Sequence, residues 1–388
     1  MQTLPKHDIV LLGIGHTNAH VLRMWRMHPR PHTRLTCVSN QPIATYSGML
    51  PGVLAGQYTV DQMEIDLVRV CASAGSRLII AEACGLDLAR QMLQLRGHPP
   101  LRFDALSIGI GSVPTYEGVR IEDDAALVPI KPMQTLLSRL RTRLQHVTGR
   151  SCGVVRIVVV GGGAGGIETA LCLPPYVRQV CGGEARIERT LASADGLLPG
   201  SPVGLARRVS RRLRELNVRV IEGRRVATVR ARGLLLEDGT EIPADVILWA
   251  TGAAAPSLLG QLGLPLDARG FLLTDNTLRS VSGAPVFAVG DAGTIADRAI
   301  AKAGVYAVRQ GPVLWDNLQR LVESRPLRPY SPQRGFLKLL NTGDGRAIGE
   351  WHGVSFEGRW CWHLKDRIDR RFMRLHQVAK VNGRVADD

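Results

Sequence analysis

The stretch "VVVGGGAGGIETAL", residues 158–171, decides the fold. Its three valines read as a buried strand. Glycines follow at Gly161, Gly163 and Gly166, before a helix start that carries Glu168. A strand feeding a G-x-G-x-x-G turn sets backbone N–H groups and the positive end of a helix against a pyrophosphate. Glycine is required because a side chain would hold the phosphate away and because the turn is tight. A poorer copy, "DIVLLGIGHTNAHVL" at residues 8–22, has Gly13 and Gly15 but Asn18 where the third glycine belongs. One match is weak. Two at strand–helix junctions, 161 − 13 = 148 residues apart, are far more specific. The alternative is a pair of tight turns inside an ordinary doubly wound sheet.

At 388 residues the chain is long enough for two or three domains with buried cores. Its 49 Lys and Arg against 34 Asp and Glu leave a net charge of +15. That balance suits attraction to anionic cofactors, anionic lipid or nucleic acid. No nucleic-acid-binding motif accompanies it, so no nucleic-acid partner is expected, and a solvated arginine-rich surface is the simpler reading. Much of the arginine falls in "LARRVSRRLRELNV" (205–218), where Leu205, Val209, Leu213 and Leu216 make an apolar stripe and the arginines face outward. Seven cysteines, at 37, 71, 84, 152, 172, 181 and 361, show no C-x-x-C pair and no metal-ligand spacing. Reduced thiols and no metal site are expected. No apolar run reaches the ~18 residues that cross a bilayer, and no secretory signal opens the chain. The expectation is a cytoplasmic protein, at most peripheral at the inner face of the membrane.

Further strands read at "RLTCVS" (34–39), "FDALSIGIGSVP" (103–114), "ARIERTLAS" (185–193) and "APVFAVGDAGTI" (284–295), the last leading into a helix near 300–322. "GLLLEDGTEIPADVILWATG" (233–252) reads as a hairpin turning on Asp238-Gly239, then a buried strand. "VPIKPM" (128–133) looks like a crossing between domains.

The ordered set of first turn, "SIGIGS", second turn with Glu168, "WATG" and "VFAVGD" resembles the two-dinucleotide flavoprotein superfamily with the pyridine nucleotide–disulfide oxidoreductase fold. The resemblance implies an α/β chain of two nested Rossmann-like domains. It divides the chain into residues 1–127 and 245–325 for FAD, 128–244 for NAD(P)H, and a C-terminal segment 326–388. It places Gly13, Gly15, Asn18, Ser39, Ala83, Gly109, Gly111, Gly290 and Asp291 at FAD, with the Asp291 carboxylate on the ribityl chain. It places Gly161, Gly163, Gly166, Glu168, Ser193 and Gly252 at NAD(P)H. Ser39 and Ser193 stand where an acidic residue normally binds the adenosine ribose. Ser193 removes the carboxylate that would repel a 2′-phosphate, so NADPH is admitted beside NADH. Asn18 in place of glycine implies a looser helix–strand approach.

Disulfide reductases of the superfamily carry C-x-x-x-x-C after the second strand, and here "TYSGMLPG" (45–52) has no cysteine. Electrons must therefore leave for an external small-molecule acceptor. In that respect the chain is similar to type II NADH dehydrogenases, which use a quinone. "YSGMLPG", "PIKP" and "SFEGRWCWHLKDRIDRRFMR" resemble still more the NADH-dehydrogenase-like module that some bacteria fuse to selenide, water dikinase. The implied reaction is hydride transfer from NAD(P)H to flavin N5, then electron delivery to the acceptor. Glu168 and Lys302 are the candidate catalytic side chains, against packing and surface roles respectively. Two rival readings stand beside this one. The first is a nucleotide-responsive flavoprotein module that regulates a partner. The second is a sulfide:quinone reductase, which needs paired cysteines where only Cys181 and Cys361 are even loosely placed.

"RWCWHLKDRIDRRFMR" (359–374) has six basic residues against two acidic ones, mixed with Trp360, Trp362, Leu364, Ile368, Phe372 and Met373. Such a helix suits an anionic membrane surface. Docking on its own flavin domain, or on a second subunit in a homodimer, is the alternative, because 360, 364 and 368 follow a spacing of four.

Overall fold

The computed structural model describes residues 5–148, 153–183, 185–298 and 300–378. Cys152 and the end of the C-terminal segment beyond residue 378 lie outside the described residues. Two five-stranded parallel sheets organise the chain. The first orders Val286–Ala288, Ala105–Ile108, His7–Leu12, Thr33–Ser39 and Arg77–Ile80. The second orders Leu127–Pro129, Val246–Trp249, Val154–Val160, Arg186–Ser193 and Val218–Glu222. In each, a glycine turn leaves the middle strand. The strands are near-continuous apolar runs because helices and loops cover both faces, and Val10, Leu11, Val158 and Val159 are buried.

The second sheet is inserted between strands of the first, as nesting requires. Two boundaries move: Leu127 already belongs to the edge strand Leu127–Pro129 of the second sheet, and Val246–Trp249 belongs to that sheet too, so the chain returns to the first after that strand and not at residue 245. The reason lies in the ladder, where Ile157 to Val160 pair with Val246 to Trp249. The expected hairpin is present as Gly233–Leu236 against Glu241–Pro243. The late helix runs Gly304–Val322, so Lys302 precedes it.

Beyond the second return, the antiparallel strands Lys338–Asn341, Ala347–Trp351 and Val354–Gly358 lead straight into the helix Arg359–His376. The small sheet docks on the arginine-rich helix Val203–Glu215. That helix buries Leu205, Val209 and Leu213 as its stripe predicts. Three of its arginines are not free in solvent. Arg208 and Arg211 pair with Glu357, and Arg212 with Asp344, because both acids come from the sheet beside it.

The last helix turns Cys361, Lys365, Asp369, Met373 and His376 inward. Trp360 and Ile368 face outward, 56% and 44% exposed. The inward face is thus displaced by one residue from the apolar spacing of four. Among the described residues no helix is long and apolar enough to cross a membrane, and no His, Cys, Asp and Glu cluster could hold a metal ion.

Candidate active site

At the first turn, a Cβ on Gly13 or Gly15 would lie 2.9 or 3.0 Å from the Gly109 carbonyl oxygen, so the "SIGIGS" strand end abuts the turn. Gly13 donates to Val38 O at 2.8 Å, which sets the end of strand Thr33–Ser39 beside the turn, and Ala81 donates to Ser39 O at 2.9 Å, two residues before the buried Ala83. Gly111 and Gly290 hold left-handed backbone, φ +76° and +61°. Asn18 departs from expectation. It is fully buried, donates to Gly13 O at 2.7 Å and accepts from Ser107 Oγ at 2.7 Å. It clamps the turn from the core side instead of loosening it, because its amide supplies the polar partners that a glycine lacks.

The Asp291 carboxylate accepts from Ser112 Oγ at 2.6 Å and Lys131 Nζ at 3.2 Å, and Lys131 also donates to Ser112 Oγ at 2.6 Å. Lys131 follows the edge strand of the second sheet, while Asp291 follows a strand of the first. The pair therefore ties the two domains together.

At the second turn a Cβ on Gly161 would strike the Ala250 carbonyl, and one on Gly166 the Gly161 carbonyl. A Cβ on Gly163 would meet nothing within 4 Å. Helices His16–Met27 and Ala164–Cys172 begin on Gly15 and Gly163 without a capping side chain. Their first-turn N–H groups are left for an outside acceptor, where the helix dipole favours an anion.

Gly163 opens into a cavity of about 1590 Å³. Of the expected residues, Gly161, Glu168, Ser193, Gly252 and Lys302 line it as well, and His16, Tyr46, Lys131, Lys365, Asp369 and Phe372 join them. Gly166 lies beneath the turn. The first-turn group gathers around Gly13 and stays outside this lining.

Glu168 Oε1 accepts from the Asn341 backbone N–H at 2.8 Å. Burial pushes its pKa up to about 7, against the pull of Lys365 and that N–H. Lys365 donates to Gly48 O and to Asp369 Oδ2, each at 2.9 Å. Burial opposes its charge, but Glu168 and Asp369 outweigh that and raise its pKa. Lys302 donates to Gly293 O at 2.6 Å and Thr294 Oγ1 at 2.9 Å, over the Phe271 ring. Burial lowers it to about 8 against Asp291 and Asp267. Ser193 Oγ donates to Gly196 O at 2.7 Å, and Arg224 and Arg225 line the same end of the cavity.

Sequence reading misses His16, Tyr46, Lys131, Lys365 and Asp369. The polar residues of "LKDRID" read as a surface face because apolar periodicity says nothing about a buried ion pair.

A pyridine nucleotide-disulphide oxidoreductase family model matches residues 7–314. The chain belongs to that family.

Among curated relatives, the chain is similar to oxidoreductase phnG of Penicillium herquei, 29% identical over 59% of this chain and 60% of that one. It is also similar to a demethylphylloquinone reductase of Synechocystis, 25% identical over 90% of this chain and 88% of that one. Less than two thirds of the first relative's length is therefore matched. Among solved structures, the sulfide:quinone oxidoreductase of Aquifex aeolicus has TM-score 0.78 at 16% identity, covering 97% of this chain and 93% of that one. NDH2 of Plasmodium falciparum in complex with NADH has TM-score 0.77 at 13% identity, covering 96% of this chain and 97% of that one. Both share the fold.

The two uncapped helix starts, with the carboxylate of Asp291 near the first, fit the two phosphate-bridged nucleotides that this family's fold holds.

Proposed function

We propose that the chain is an FAD-dependent NAD(P)H:acceptor oxidoreductase that delivers electrons to a quinone-type acceptor. One observation carries the reading. A single cavity joins the second glycine turn and Glu168 to an apolar wall that includes Phe336, Ile368 and Phe372, and no cysteine among the described residues lines it. A dithiol relay, as in disulfide or sulfide chemistry, has no partner there. The demethylphylloquinone reductase relative supports a quinone.

FAD held at the first turn would supply the redox chemistry that links a two-electron nicotinamide donor to the acceptor. Gly15 and the uncapped first turn of His16–Met27 would present N–H groups to its pyrophosphate, Gly13 would shape the turn while its own N–H stays on Val38 O, and Asp291 would accept from its ribityl hydroxyls. Gly163 and the uncapped first turn of Ala164–Cys172 would do the same for NADH or NADPH, while Gly161, whose N–H is held by Ala192 O, would shape the turn. Ser193 itself places no carboxylate against a 2′-phosphate, and Asp195 two residues on is paired with Arg225 at 3.5 Å in the same lining, so both nucleotides are accepted. Quinone reduction takes two electrons and two protons, and the hydride brings two electrons and one proton. Glu168 gives the second proton and regains it from solvent.

The outward face of Arg359–His376, with Trp360, Ile368 and Leu375 exposed among arginines, is the peripheral membrane contact. It would bring the cavity close to a lipid-dissolved acceptor. The test is the purified protein: it should be yellow, NADH should bleach it, and a short-chain 1,4-benzoquinone should restore the colour with turnover. A bleached protein that no quinone reoxidises would defeat the reading.

A further inference from the structure

His16 follows Gly15 directly, opens the helix His16–Met27 and forms part of the cavity wall. Its ring is edge-on to Tyr46, with centroids 5.5 Å apart, and tilted against Phe372 at 5.6 Å. The other polar side chains around this end are occupied. Tyr46 and Lys365 both bond to Asp369, Lys131 to Asp291, and Lys302 to Gly293 and Thr294. Among the described residues, none makes a hydrogen bond to either ring nitrogen of His16. Gly304 faces it, and even a Cβ there would stay 3.8 Å from Nε2, so room is left in front of the ring. Val305 and Val308 continue this wall beside Tyr46 and Phe372. Burial keeps the imidazole neutral, with its pKa lowered to about 4. A neutral imidazole carries one N–H donor. A flat apolar ring bearing carbonyl oxygens needs such a wall and one such donor.

We propose that His16 donates a hydrogen bond to a carbonyl oxygen of the electron acceptor. The inference rests on the quinone reading above. The carbonyl oxygen gains negative charge as electrons arrive, so a donor fixed there is worth more during transfer than before it. A purely packing role for His16 makes the opposite forecast, because phenylalanine would fill the aromatic cluster as well.

The test compares His16→Phe, which keeps the ring and loses the donor, with His16→Gln, which keeps an N–H. NADH bleaching should stay near the wild-type rate in both, with the flavin spectrum and midpoint potential unchanged. Reoxidation by a short-chain 1,4-benzoquinone should slow about tenfold or more in His16→Phe, since single donors of this kind contribute about 10²–10³. His16→Gln should keep most of the rate. Ferricyanide, which takes single electrons without a carbonyl contact, should reoxidise both variants as it does the wild type. Wild-type quinone kinetics in His16→Phe, equal slowing in His16→Gln, equal slowing with ferricyanide, or a shifted flavin spectrum would each overturn the assignment. Loss of FAD from both His16→Phe and His16→Leu would overturn it in favour of a structural role. A wild-type protein that benzoquinone cannot reoxidise would instead sink the acceptor reading, and this assignment with it.

Discussion

The Tyr46 hydroxyl donates to the Asp369 carboxylate at 2.9 Å, across 323 residues of sequence. The Tyr46 ring also stacks on Phe372, with centroids 4.3 Å apart. The glycine-punctuated loop after the second strand and the last helix therefore make one wall of the cavity. Lys365 extends that wall to within electrostatic reach of Glu168. The acid–base machinery is thus assembled from three distant segments, and each can be probed separately.

Glu168 carries the pH dependence. Its pKa is raised from 4.5 to about 7, first by burial. The proton is present below about pH 7 and lost above it, so turnover with a quinone should fall as pH rises through 7. Glu168→Gln should flatten that limb and slow turnover about 10²-fold, at the lower end for a lost general acid. The same shift has a sign for stability. A raised folded pKa gives stabilisation that is complete below about pH 4.5 and is lost as pH rises through 7. Melts of both proteins between pH 5 and 8 would show that slope in the wild type and not in the variant.

Asp291→Ala should weaken FAD binding by ~1.5–3 kcal/mol, the typical worth of a hydrogen bond to a charged group. That is roughly tenfold to a hundredfold in dissociation constant. Lys131→Met should weaken it less, because Lys131 acts by holding the same carboxylate. The two changes together should fall short of additive. Flavin fluorescence on release gives all three dissociation constants, and full additivity would separate Lys131 from Asp291.

The glycines of the second turn should divide by geometry. Gly163→Val projects into open space, so its melting should stay within about 0.5 kcal/mol of wild type. NADH binding should still weaken tenfold or more, because the side chain occupies the phosphate position. Gly161→Ala is different. Gly161 has φ +128° and a Cβ there strikes the Ala250 carbonyl, so a loss of about 1–3 kcal/mol in stability is expected. Equal melting of the two variants would contradict the turn geometry.

The sequence carries the fold through its glycine turns and apolar strands, since both are local patterns with a fixed backbone consequence. The expected boundaries at 127 and 245 both fall at strands that carry no local mark of which sheet they join. The Asn18 clamp was misread because a polar residue in a glycine's place looks like a defect until its partner Ser107 is known. Lys365 and Asp369 were hidden for a related reason. A buried ion pair on an inward helix face has the same composition as a solvated one, and only the neighbouring Tyr46 and Glu168 distinguish them.

The last helix separates two roles by its two faces. Inward, Cys361, Lys365, Asp369 and Met373 are buried. Truncation after Gly358 should therefore uncover apolar surface worth ~1.5–3 kcal/mol per large side chain, against a total stability of about 5–15 kcal/mol. Aggregated or flavin-poor protein is expected. Outward, Trp360, Ile368 and Leu375 are exposed beside Arg359, Arg367, Arg371 and Arg374. Replacing Trp360 and Leu375, which lie outside the cavity lining, with Ser should leave melting and NADH bleaching intact while reducing attachment to vesicles. Each basic residue near an anionic surface contributes about 1 kcal/mol, and exposed charges are screened within ~10 Å at 0.1 M salt. Co-sedimentation of the intact protein should then require anionic lipid and fade with salt, and the double variant should sediment less at every salt concentration. If intact protein sediments equally with neutral and anionic vesicles, the arginines have no part in attachment. If the double variant sediments like the wild type, this face is not the contact.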